Sequence, residues 1–500
     1  MAVSLGTYDA TITIPQFLGL NQYGDEIGGD SRYSPDAENI ETIGGVLQPA
    51  ALCTELTPQL DNPIETIAIL FRRWTSSDNE IMIAASGGKL YYMPVGGSAW
   101  TQLAMPTGIS LFQSNVWSYA SYEINPEGSQ APVDVLLISN AYDGMFMVRG
   151  DNLTIVPVET PKKFGVIARY AERIWGGAIP EDPDMLVYSA PFDPTDWDAD
   201  PEIPEDGAGD IQQPSWDGDS FTALQQFGSQ LIAFKKTRVW RVLGTDPGEY
   251  AFKEQYGGGA PYEKTIAVDT ERILMLTDQG VVVYDGLAVN PFQQDMCRKI
   301  WNDMNKSALD QASACLWRDK YYLAVPLGTS TINNAVIVYN TLERTWLLRT
   351  DVSVERWLPA NDCLYFTSST TPGKLWQWAE NSWEHGESTA APVKWVTPWI
   401  DLGRKDIVKG SHELYVLVEV QNAPVTLEIS IQSEKKKKTK KYTVKPLTAF
   451  QVAKNRNQKQ KRIHFGGSGR RFRLIIESEA NQPVWRIQSG LLLKTETDPD

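Results

Sequence analysis

The stretch RILMLTDQGVVVYDG, residues 272–286, holds an apolar run, a turn at Asp278–Gly280 and a second apolar run that ends on Tyr284. Short apolar runs bounded by turn residues read as paired strands. Four more stretches follow the same plan: IMIAASGGKLYYM (81–93), VLLISNAYDGMFMV (135–148), QLIAFKKTRVWRV (230–242) and CLYFTSSTTPGKLWQW (363–378). Two others carry longer loops: RIWGGA with DMLVYSA (173–190), and YYLAVP with NAVIVYN (321–340). Their central aromatics are Tyr91, Phe146, Tyr188, Trp240, Tyr284, Tyr339 and Trp376, at successive gaps of 55, 42, 52, 44, 55 and 37 residues. In a strand-rich chain, a period of about 40–50 residues marks the blades of a propeller, each a four-stranded sheet that must stack on its neighbours. The expected fold class is therefore all-β, a seven-bladed β-propeller (six to eight blades fit) followed by a C-terminal β-sandwich. Unrelated hairpins in sandwiches would give a similar spacing.

Composition agrees with strands. The 500 residues include 17 Trp, 20 Tyr and 15 Phe, which favour strands, with 38 Gly and 30 Pro, which favour turns. One helical pattern stands out, MCRKIWNDMNKSALDQAS at 296–313, and reads as one or two short helices. Residues 1–20 lack the basic and apolar regions of a secretory signal, and no run approaches the roughly 18 apolar residues of a membrane helix. The expectation is a chain made in a cytosol with no membrane insertion.

The net charge of −16 hides a division. Residues 401–500 hold 20 Lys and Arg against 11 Asp and Glu, which leaves 26 against 51 in residues 1–400. An acidic body thus precedes a basic module, and an acidic body does not grip DNA through its phosphates. The polar stretch 384–392 suggests a linker. The expected domains are an extended N-terminal segment (1–55), the propeller (56–383), a linker (384–400) and the basic sandwich (401–500). In the last, HELYVLVEV, VTLEISIQS, FRLIIES and VWRIQSGLLLK alternate as strands with one buried face, and TKKYTV and KRIHF add two more. Lys435, Lys436, Lys437, Lys438, Lys440, Lys441, Arg470 and Arg471 form its candidate docking patch, with Lys454, Arg456, Lys459, Lys461, Arg462 and Arg473 nearby. The patch suits an acidic neighbouring subunit or another polyanion, and a solvated hairpin tip is the plainer reading.

Catalytic chemistry finds little to use. Cys53, Cys297, Cys315 and Cys363 are far apart and read as buried thiols, and His385, His412 and His464 fall in no motif. Asp196, Asp198 and Asp200 alternate within an acidic loop, but Pro201 stands where a calcium loop needs glycine. No glycosidase pair or phosphate-binding loop is selected by spacing. The expectation is no enzyme, no cofactor and no metal site.

The most specific text is N-terminal: PQFLGLNQ (15–22) and RYSPDAENIETIGGVLQPA (32–50). Gly19, Leu20, Asn21, Pro35, Asp36, Ala37, Asn39, Gly45 and Leu47 resemble the opening of tailed-bacteriophage virion propeller proteins. SAPFDPTDW (189–197) and WVTPWIDLGRKD (395–406) resemble the same group. Within it, the tail nozzle or packaged-DNA stabilisation proteins are similar, although Pro49-Ala50 stands where they often carry Arg-x-Gly. The resemblance implies a non-enzymatic structural protein in a homo-oligomeric ring, expected as a hexamer. Such a ring extends the portal channel, meets portal, adaptor and tail fibre proteins, and helps retain DNA that passes without sequence-specific contacts. A tail hub, a tail or collar fibre-attachment protein and a glycan-binding or glycan-degrading surface propeller stay open.

Overall fold

A computed structural model describes residues 8–23, 28–74, 79–111, 116–126, 131–213, 218–385, 389–403, 405–421, 423–446 and 461–498. Lys454, Arg456 and Lys459 of the basic module lie outside the described residues.

The chain is all-β, built mainly of four-stranded antiparallel sheets. Six of these follow one another as simple meanders between Thr66 and Arg349. All seven central aromatics lie on the third strand of a sheet, opposite a residue of the second. Phe146 faces Ile138, Tyr188 faces Trp175, Tyr339 faces Tyr321 and Trp376 faces Phe366. The helical pattern becomes a short helix, Arg298–Asp303, between two 3-10 turns.

The seventh sheet draws on both ends of this region. Arg356–Ala360, Cys363–Thr367 and Lys374–Gln377 supply three strands, and Thr54–Gln59 pairs antiparallel with the last. The expected boundary at 55/56 thus falls inside a strand. A sheet made from two distant segments ties the last repeat to the first.

The cores follow the same circuit. Leu70, Ile83, Leu136 and Phe146 pack the first sheet on the second. Leu137 with Ile174, Trp175 with Trp240, and Phe234 with Tyr284 join the second to the third, the third to the fourth and the fourth to the fifth. Leu276 with Tyr321, and Tyr322 with Trp357, continue to the sixth and seventh. Tyr365 and Leu375 then pack on Ile67 and Met82 of the first sheet, closing the circuit. Each sheet therefore buries both faces, which explains why the second strands read as continuous apolar runs rather than alternations.

The C-terminal region forms two further four-stranded sheets. One pairs the N-terminal strand Tyr8–Ile14 with Leu491–Asp498, then Val408–Val416, then Lys461–Gly469. The other orders Val393–Val396, Phe472–Ser478, Val425–Ser433 and Lys437–Val444. Part of the expected linker is thus a strand. Leu414, Leu493 and Phe465 of one sheet share a core with Ile429, Ile431 and Ile476 of the other.

Candidate functional site

Three regions bear on function: a joint, a cavity and a basic edge.

The joint is built from the N-terminal motifs. Phe17 is buried edge-on against Trp395, with ring centroids 5.0 Å apart. The Leu20 N–H donates to the Trp346 carbonyl at 2.6 Å, and a Cβ on Gly19 would collide with that same oxygen, so only glycine fits there. The Val396 N–H donates to Ser34 Oγ at 3.1 Å. Asn39 has a left-handed backbone (φ 56°), which Asn tolerates better than most residues. Its Nδ2 donates to Thr350 Oγ1 at 3.1 Å and to the Pro392 carbonyl at 2.9 Å, and its Oδ1 accepts the Thr350 N–H at 2.7 Å. Leu47 and Ile487 exchange backbone hydrogen bonds of 3.1 and 2.8 Å. Trp346 and Thr350 belong to the outer edge of the sixth sheet, whereas Trp395 and Ile487 belong to the C-terminal region. One segment therefore welds the two, and Trp346, Trp395 and Trp485 are buried in a core that runs through the weld.

The cavity, of about 390 Å³, is lined by the first strands of six sheets and the turn before the first strand of the fifth. Thr66, Ser118, Val166, Ser313 and Arg356 open their strands there, so the cavity lies at the end where those strands begin. Tyr119 faces it, 47% exposed. Glu263, Lys264 and Arg356 bring three charges to its wall, and Arg356 Nε donates to the Glu65 carbonyl at 2.9 Å. Glu263 faces the cavity yet has protein on most sides, which solvates its charge poorly. Burial pushes its carboxyl up to about 7, against the opposing pull of Lys264 and Arg356. Burial, aided by Arg356, pushes the Lys264 ammonium down to about 8. Sequence reasoning missed this group because the packing of sheets distant in sequence, not local spacing, assembles it.

A pH test follows for Glu263. Because its folded pKa lies above the ordinary 4.5, the folded chain keeps a proton that the unfolded chain releases, and stability falls as pH rises from 4.5 to about 7. Glu263→Gln should raise the urea midpoint relative to wild type at pH 8 and not at pH 4.5. An equal change at both pH values would contradict this.

The acidic loop lies at the other end of its sheet, between the third strand Met185–Tyr188 and the fourth Gly209–Gln212. Its aspartates cap backbone: Asp196 Oδ1 accepts the Asp198 N–H at 3.0 Å, and Asp200 Oδ1 accepts those of Glu202 and Ile203 at 2.8 and 3.0 Å. Among the described residues no cluster of metal-ligating side chains occurs. Cys297 and Cys315 are buried, and burial holds both thiols well above their ordinary range.

The basic edge is the strand Lys437–Val444 with the turn before it. Because a strand alternates faces, the lysine run divides. Lys437 and Lys441 point to the outer face and pair with Glu477 at 3.1 Å and Glu428 at 2.6 Å. Lys438 and Lys440 stand opposite Ile431 and Ile429, on the inner face. Lys440 lies 5.8 Å from the Phe465 ring centroid. Arg471 pairs with Glu434 at 2.6 Å, and Arg470 is exposed. Lys435, Lys436 and Lys438 converge on one opening with the buried His412. Inward charges on an edge strand also guard against pairing with another chain.

No family model matches the chain, and no curated protein is similar to it. Solved structures give distant likenesses. One is YCF48 bound to D1 peptide, at 11% identity over 66% of this chain and 95% of that one, with a TM-score of 0.41. Another is the Neurospora crassa Pan2 WD40 domain, at 11% identity over 64% and 90%, TM-score 0.36. A third is BBS1N in complex with ARL6DN, at 12% identity over 73% and 98%, TM-score 0.32. At such scores they carry no argument.

Proposed function

We propose that the seven sheets are the blades of one closed β-propeller, fastened by Thr54–Gln59, with the two C-terminal sheets forming a β-sandwich welded to its rim. On this reading the chain is a non-enzymatic virion protein of a tailed phage, a tail nozzle or hub that extends the portal channel as a homo-oligomeric ring. The observation that supports it is the joint. Gly19, Leu20, Asn39 and Leu47, which carry the family resemblance, are spent on fixing two β modules together. That is a demand of architecture rather than catalysis.

The cavity inside one chain has the size of a small-molecule site, far below a duplex. DNA would therefore pass through the middle of a ring of copies, where an acidic surface lets it slide rather than stick. Particles assembled without the chain are expected to fill with DNA and then lose it. Full retention in such particles would favour the fibre-attachment role. The charged cavity favours a second reading, a glycan-binding surface propeller. Saturable binding of the isolated protein to a panel of host glycans, abolished by Tyr119→Ala, would support that reading over the first.

A further inference from the structure

We propose that the opening between the two C-terminal sheets binds a multiply charged oxyanion of the phosphate class. The opening is a cavity of about 330 Å³ lined by Lys435, Lys436, Lys438, His412 and the stretch Gly466–Ser468. The inference does not depend on the virion reading.

Four observations converge on it. First, Lys438 occupies an inner-face position opposite Ile431, where an apolar side chain would instead close the sheets. Its chain runs along two glycines: a Cβ on Gly466 would lie 3.5 Å from its Nζ, and one on Gly467 would lie 3.9 Å from its Cδ. Second, the pairing of Val408–Val416 with Lys461–Gly469 shifts register between Gly410 and His412, leaving Gly466 and Gly467 out of the ladder. Such bulges re-aim backbone and side chains beside sites. Third, His412 is 3% exposed, and its Nδ1 has no hydrogen-bond partner. A buried polar atom without a partner is costly, and a ligand oxygen at the opening would remove that cost. Burial pushes this imidazole down to about 4, so it is neutral at pH 7 and can hold the proton on Nδ1 as a donor.

Fourth, the charges select the ligand. Among the described residues no carboxylate pairs with Lys435, Lys436 or Lys438, whereas Lys437 and Lys441 are answered by Glu477 and Glu428. Glu434, next to Lys435 in sequence, is held by Arg471. Three ammonium groups around one cavity are balanced by a dianion or trianion. A single carboxylate would leave two of them uncompensated, and phosphate oxygens can meet several donors together.

Calorimetric titration of the full chain with inorganic pyrophosphate, and separately with acetate, at constant ionic strength tests this. Saturable pyrophosphate binding at one site is expected, weakened about tenfold in Lys438→Gln, a loss the size of one charge-assisted hydrogen bond. Lys437→Gln, on the opposite face, should leave it unchanged, and acetate should not bind. Lys435→Gln, in the exposed turn, repeats the test without touching the strand. Glucose 6-phosphate against free phosphate then separates a sugar-borne group from the free ion. Absence of saturable binding, equal losses in Lys437→Gln and Lys438→Gln, or acetate binding as tightly as pyrophosphate would overturn the proposal.

Discussion

Asn39→Ala should destabilise the protein by roughly 3–4 kcal/mol, because one short side chain serves three contacts and one backbone conformation. Its amide reaches the sixth sheet through Thr350 and the C-terminal region through the Pro392 carbonyl, from a site that is 1% exposed. Each lost hydrogen bond is worth about 1 kcal/mol, and alanine at positive φ adds about 1 kcal/mol more. Asn39→Gly relieves the backbone strain without restoring the bonds, so its loss should be smaller by about 1 kcal/mol. Equilibrium urea unfolding of the three proteins measures both numbers. A loss below about 1 kcal/mol for alanine would mean that the joint is held elsewhere. On the proposed reading the prediction reaches function, because a nozzle would have to transmit load between its two modules without hinging.

Arg173→Ala should cost about 3 kcal/mol, through the loss of charge-assisted hydrogen bonds to backbone carbonyls, and release the acidic loop. The Arg173 side chain is 3% exposed, and no carboxylate pairs with it among the described residues. Its Nη1 donates to the Ser189 and Gly207 carbonyls at 2.8 and 2.7 Å, its Nη2 donates to the Glu205 carbonyl, and its guanidinium lies over the Tyr188 ring. These carbonyls lie at the two ends of the loop, so the guanidinium staples it shut. Arg173→Lys should not rescue, since a lysine offers no planar fork. Limited proteolysis should cut both variants between residues 190 and 206 at protease levels that spare the wild type. A resistant loop in Arg173→Ala would show that the capping aspartates suffice.

Much of the repeat of four-stranded sheets was legible in the sequence, and the reason is physical. The second strand of each sheet is buried on both faces, so it needs an apolar run, and the third carries a large aromatic opposite it; both can be counted. The outer strands carry no such demand. Thr101–Gln102 is a two-residue strand with both side chains exposed, and the closing strand TELTPQ contains Pro58, tolerated at a sheet edge. The pairing of Tyr8–Ile14 with Leu491–Asp498 joins segments almost a full chain length apart, which no local pattern encodes. The N-terminal motif could be read as distinctive, but its work as a joint appears only once Trp346 and Trp395 are placed beside it.

The site was legible in part. A lysine run announces charge, yet consecutive identical residues erase the alternation that separates Lys437 and Lys441 from Lys438 and Lys440. Facing glutamates neutralise the first pair, and the register turns the second pair inward. His412 gave no signal, since one histidine in an alternating strand reads as core. The cavity charges were invisible for a different reason: Glu263 and Arg356 line one cavity although they lie far apart in the chain, one in the turn before the fifth sheet and the other on the seventh.

The central claim is that this chain forms a ring in the tail of a virion. Image reconstruction of purified particles that carry a label on the chain's C-terminus tests it most directly. The account predicts symmetric density directly below the portal, with the label repeated once per copy around the channel. Density confined to the periphery of the tail, or particles that lack the chain altogether, would contradict it.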